Sequence, residues 1–313
     1  MRWGDFRRSE NVEDRTGVGP ARGGMPLGGG MRIGGGALIV IVGLIFGINP
    51  FQLLGMLEGG GSPAPVPREQ AMPGSSGQPA PVPRQQALPP GAGPQTGKAP
   101  VDPQKDLVRA VLGNTEDVWS AVFKASGSRY EPPKLVLFDG RVQSRCGITG
   151  SAAGPFYCPA DRTLYLDTSF FRELQNRFGA PGDFAQAYVI AHEVGHHVQN
   201  LMGTMGQYEQ QAQRLDQRQR NALTIKLELQ ADCYAGVWGF FAAKQNALEP
   251  GDAEEGIRAA GSVGDDSIQK RTQGVVVPDA FTHGSSAQRI KWFRTGFQSG
   301  DPRSCNTFAS KDP

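Results

Sequence analysis

Hydrophobic positions are distributed unevenly along the chain, and the unevenness divides it. From Gly34 to Leu57 no charged residue occurs, and the run Ala37-Leu38-Ile39-Val40-Ile41-Val42 is wholly apolar. Residues 33–57 are long enough for the roughly 20 residues that cross a bilayer as a helix. A buried core helix is the competing reading, but Gly-rich and Pro-rich segments flank the stretch and leave nothing to bury it. A cleaved export signal is the other, but the run starts too deep and no small-x-small site follows closely. The expectation is an uncleaved transmembrane helix over 33–57.

Beyond the Pro-rich segment the pattern becomes periodic. Leu107, Val108, Val111, Leu112, Val118, Trp119 and Val122 recur at helical spacing, with an interruption expected at Gly113-Asn114. Leu135–Phe138 is an unbroken apolar run of strand length, and Thr163–Asp167 reads as a second strand. Tyr188, Val189, Ile190, Val194 and Val198 mark a helix that Asp183 and Gln186 would open as a capping box. The polar stretch from Gln207 to Arg220 reads as a solvated helix. It leads into another helix carrying Leu223, Leu227, Ala231, Tyr234 and Trp238. Gly264-Asp265-Asp266 reads as a solvated turn, with a second metal site as the alternative. Ser285 and Gln288 form a second capping box before Ile290, Trp292 and Phe293. The pattern predicts an α+β domain over 104–313: a small sheet packed on a helix, followed by a helical second half.

Composition sharpens the boundaries. The 43 Gly and 24 Pro gather in the first third, which leaves that third little from which to build a core. Residues 1–32 are polar and Gly-rich from Gly17, and are expected to be a disordered tail. Residues 58–103 read as a linker in which Pro63-Ala64-Pro65-Val66-Pro67-Arg68 recurs as Pro79-Ala80-Pro81-Val82-Pro83-Arg84. Such a tract is a semi-extended spacer or a ligand for a Pro-binding module. The net charge of +2, with no basic patch interleaved with aromatics, gives no support to nucleic-acid binding.

Arg2, Arg7, Arg8, Arg15, Arg22 and Arg32 precede the apolar stretch, and the next positive charge is Arg68. The positive-inside rule then places the N-terminus in the cytoplasm and the domain on the exported side of a bacterial inner membrane. Four cysteines follow the stretch, none in a Cys-x-x-Cys pair. In an oxidising compartment Cys146 with Cys158, and Cys233 with Cys305, can form disulfides; buried free thiols are the alternative.

The candidate chemistry lies in Ala191-His192-Glu193-Val194-Gly195-His196-His197. Residues four apart on a helix share a face, so His192 and His196 can both ligate one Zn²⁺ while Glu193 reaches a water as general base. Catalytic zinc usually has three protein ligands, and Glu228 is the candidate third. Asp232, one turn on, would accept the free N–H of a ligand histidine. A solvated face is the bland reading of Glu228 and Asp232, and Leu227, Leu229 and Ala231 around them argue against it. His197 faces away, as a structural or exposed residue. The remaining histidine, His283, precedes a capped helix. It is either a donor to the oxyanion of an attacked carbonyl or a residue that only positions its loop.

With these residues in view the chain resembles the bacterial putative neutral zinc metallopeptidases, membrane-anchored proteins with gluzincin-type sites. The resemblance runs through the opening Met1–Ser9, Gly154–Pro159, Tyr165–Asp167, His192–His197, Glu228–Cys233, His283-Gly284, Gln288-Arg289 and Trp292-Phe293. It implies a zincin-like fold and a zinc-dependent hydrolase acting on peptide or protein, with Thr163–Asp167 edging the cleft and pairing with an extended substrate. Two alternatives stand beside it: a zinc-stabilised scaffold with little hydrolysis, and a zinc hydrolase of a non-protein amide such as that of the cell wall.

Overall fold

A computed structural model describes residues 1–17 and 102–311. Helix α1 (Pro103–Ala125) opens at Asp102, whose carboxylate accepts the N–H groups of Gln104 and Lys105. It passes through Gly113-Asn114 without the expected interruption. Asn114 is buried there, accepting from Trp238 Nε1 at 2.9 Å and donating to Gln245 at 2.7 Å. The polar pair marks a helix–helix contact, and such tertiary bonding outweighs a local propensity for turn.

Strands β1 (Val12–Asp14), β2 (Lys134–Phe138), β5 (Phe156–Cys158) and β6 (Thr163–Asp167) form one sheet in the order β1-β2-β6-β5. The first three in that order run parallel, with Leu135 opposite Val12 and Leu164, and β5 is antiparallel to β6. The apolar runs in β2 and β6 follow from burial on both faces. Leu135, Leu137, Leu164 and Leu166 enter the main core under the helices. Val136, Phe138, Tyr165 and Phe156 join a second cluster with Val142 of the hairpin β3 (Arg141–Ser144) and β4 (Gly147–Gly150). A Cys146–Cys158 disulfide ties this hairpin to β5.

The rest is helical: α2 (Ser169–Asn176), α3 (Asp183–Leu201), α4 (Thr204–Ala212), α5 (Gln217–Lys244), α6 (Asp252–Ser262), α7 (Asp265–Gln273) and α8 (Ser286–Ser299). The mixed α+β class, small sheet and helical C-terminal half are as the sequence predicts. The caps differ in part. Ser285–Gln288 does form a capping box on α8. At α3 the N-cap is Gly182, and Asp183 instead accepts from Trp3 Nε1 at 2.8 Å. The polar run 207–220 breaks after Ala212, and a capping box of Asp216 with Gln219 restarts the chain as α5. A second disulfide joins Cys233 of α5 to Cys305.

The N-terminal expectation needs correction for residues 1–17. They are docked on the domain, with β1 as a sheet strand and Ser9 buried. The paired polar side chains that read as a solvated tail are the docking contacts. The stretch 33–57 and the duplicated Pro-rich segment lie outside the described residues. Among the described residues no helix is long and apolar enough to cross a membrane.

Candidate metal centre

Helices α3 and α5 cross closely because the crossing point is made of small residues. A Cβ at Gly195 would lie 2.9 Å from the Ala231 carbonyl oxygen, inside contact distance. That closeness lets one carboxylate on α5 reach two histidines on α3. Glu228 Oε2 is 3.3 Å from His192 Nε2, and Oε1 is 3.5 Å from His196 Nε2. The three donor groups lie within 4.8 Å of one another, and all three residues are buried.

Neighbouring groups fix the imidazole tautomers. His192 Nδ1 lies 2.9 Å from Asp232 Oδ1, and His196 Nδ1 lies 2.9 Å from Gln199 Oε1. The Gln199 amide is oriented by its own donation to Leu227 O at 2.7 Å. Each Nδ1 therefore carries a hydrogen, and each Nε2, facing Glu228, is the atom left for a metal. Burial disfavours the Glu228 carboxylate, yet His196 and His192 hold it well below the usual range. Burial likewise opposes charge on His192, and Asp232 with Glu228 outweighs it, raising the imidazole to about 9. Among the described residues Glu228 Oε1 has no hydrogen-bond partner. A buried carboxylate facing two imidazole Nε2 atoms is a donor set for a cation, which would take the place of a proton on Nε2, and N/N/O donors suit Zn²⁺.

Asp232 is held more strongly than the sequence suggests. Arg289 of α8 clamps it with Nε at 2.9 Å from Oδ2 and Nη2 at 2.9 Å from Oδ1, and Tyr188 donates to it at 2.5 Å. All three side chains are buried. Burial raises the Asp232 pKa, but Arg289 and His192 bring it below the usual value. Nothing in helical periodicity identifies Arg289 or Tyr188 as site residues. An arginine amid Ile290, Trp292 and Phe293 on a core helix was the available sign, because a buried arginine requires an anionic partner.

Glu193 and His283 line the cavity above the donor trio. Burial raises the Glu193 carboxyl, against the pull of His196 and His192. Asp265, expected in a solvated turn, is buried. Its Oδ2 accepts the backbone N–H groups of Thr282, His283 and Gly284 at 2.7, 2.6 and 3.0 Å, and its Oδ1 lies 3.1 Å from His283 Nδ1. The acid is a loop organiser at the start of α7, which a reading of Gly-Asp-Asp as turn chemistry misses. Burial opposes charge on His283 and Asp265 outweighs it, so its pKa is raised. Among the described residues His283 Nε2 has no hydrogen-bond partner. His197 points elsewhere, between Tyr157 OH at 3.0 Å and the Glu131 carbonyl at 2.6 Å, and burial lowers it to about 4.

The cavity wall corrects the strand expectation. Thr163–Asp167 pairs along its whole length with β2 and over Thr163–Tyr165 with β5, so among the described residues only Leu166 and Asp167 lack a strand partner on one side. Among the described residues the sheet ends instead at β5, and Phe156 and Tyr157 of that strand line the cavity with Pro155. Phe170, Val189, Met205 and Val263 add further apolar lining.

The family model described as putative neutral zinc metallopeptidase matches residues 1–308. The uncharacterized protein YpfJ of Escherichia coli (strain K12) is 43% identical over 310 residues, which is 98% of this chain and 99% of that protein. The uncharacterized protein Rv2575 of Mycobacterium tuberculosis is 47% identical over 211 residues, 64% of this chain and 69% of that one. No solved structure matches the chain. The chain belongs to the putative neutral zinc metallopeptidase family.

Proposed function

We propose that this member of the family is a zinc-dependent endopeptidase that takes an extended peptide against β5, with a zincin-like domain. One observation carries the reading: the three-donor group His192, His196 and Glu228 opens onto a cavity that also holds Glu193 and a free sheet edge. Zinc held by these residues would supply an acidified water and a Lewis acid for the carbonyl.

The chain's own residues account for the rest. Edge strand β5 has backbone groups on its open side that can pair with an extended main chain, and the apolar wall can hold a hydrophobic side chain. Glu193 takes the proton of the attacking water and passes it to the leaving amine. His283, held by Asp265 through Nδ1, donates from Nε2 to the oxygen that gains charge. Asp232, fixed by Arg289, keeps His192 in the tautomer that leaves Nε2 free. A closed structural zinc site would take four protein ligands and leave Glu193 without use, which disfavours the scaffold reading. A free strand edge favours peptides over a cell-wall amide. The domain's two disulfides favour an oxidising compartment.

Full-length protein incubated with a mixed peptide library should yield internal cuts beside apolar residues, and a chelator should abolish them. Cell-wall cleavage with intact peptides would move the assignment to a non-protein amide, and no cleavage of either would favour the scaffold.

A further inference from the structure

The described segments 1–17 and 102–311 meet near Gly17 and Asp102. Lys105 Nζ lies 2.8 Å from Asp14 and also bonds the Thr16 hydroxyl. The intervening residues hold the uncharged run 34–57.

Residues 1–17 are built into the domain. Arg8 grips Asp106 through Nε at 2.9 Å and Nη2 at 2.7 Å. Glu116 is buried, and its partners come from the N-terminal segment: Ser9 Oγ at 2.6 Å, Asn11 Nδ2 at 2.8 Å and Arg7 Nη2 at 2.7 Å. Removing the segment would strand a buried carboxylate, which is costly. Helix α1 makes room for it: a Cβ at Gly113 would lie 2.2 Å from the Arg7 carbonyl oxygen. A mid-helix glycine is a poor helix former, and here the close approach of another backbone explains it. Trp3 reaches the first turn of α3, the helix of His192 and His196, through Asp183. The segment also supplies β1, which covers an edge of β2.

We infer that residues 1–17 and the domain 102–311 lie on the same side of any membrane, so that the chain between them makes no net crossing. One crossing would put the two on opposite faces and prevent every contact above. Two crossings need about 40 apolar residues, and the uncharged run provides enough for one. The arginine asymmetry, which assigns the N-terminus to the cytoplasm and the domain to the exported side, therefore cannot describe the folded chain.

The test uses full-length protein in cells stripped of their wall. Glu10 and Arg129 are exposed, and the cysteines among the described residues are in disulfides, so Glu10→Cys and Arg129→Cys each add one reactive thiol. A membrane-impermeant maleimide should label both before lysis, or neither until lysis. Labelling of one before lysis with complete loss of signal from the other would place them on opposite faces and overturn the inference. Gly113→Leu, which blocks docking of Arg7, should expose Glu116 and destabilise the domain. Unchanged stability in that variant would also contradict the built-in segment.

Discussion

Replacing Glu193 with Gln is expected to cost about 10²–10⁴ in kcat while leaving metal content and melting temperature unchanged. The amide keeps the size and polarity of the side chain in the cavity but cannot take the proton of the attacking water. Glu193 is not one of the three grouped donors, so the change leaves His192, His196 and Glu228 intact. Burial raises the native carboxyl, which brings its basicity closer to the working pH. Because the proton moves in the transition state, kcat and kcat/KM should fall together with little change in KM. Hydrolysis at the native rate with zinc retained would remove Glu193 from the role of base.

The second large effect is on stability and arises at the clamp on Asp232, where Arg289 also lines the cavity. Arg289→Met should destabilise the domain by about 3–5 kcal/mol, because it leaves the buried Asp232 carboxylate without its charged partner. For a chain of this size that lowers the melting temperature by on the order of 10 °C. Adding Asp232→Leu removes the stranded charge and should restore part of the loss. The double variant still lacks the acceptor at His192 Nδ1, so its zinc affinity should remain lower by about 10–100-fold. Equal melting temperatures for Arg289→Met and the parent would show that the clamp carries no weight.

The donor trio was legible in sequence because it obeys helical spacing. His192 with His196 and Glu228 with Asp232 are each four apart, and the apolar residues around the second pair rule out a solvent face. The two central strands were legible for a related reason, since burial on both faces makes β2 and β6 continuous apolar runs. What failed is what depends on position in space. A three-residue edge strand such as β5 leaves no periodic trace, so the edge of the sheet was read at its neighbour β6. Asp265 looks like a turn residue until Thr282–Gly284 are seen around it. Arg7, Arg8 and Ser9 look like a tail because their partners Asp106 and Glu116 lie about a hundred residues away. Gly113, read as a helix break, is the place where that segment crosses α1.

The central claim is that His192, His196 and Glu228 together hold one metal ion. Metal analysis of purified full-length protein and its Glu228→Ala variant, both dialysed against the same zinc-buffered solution, tests it most directly. The parent should retain about one zinc per chain, and the variant, with two imidazoles left, should lose most of it while staying folded. Full zinc occupancy in a folded Glu228→Ala protein would contradict the assignment.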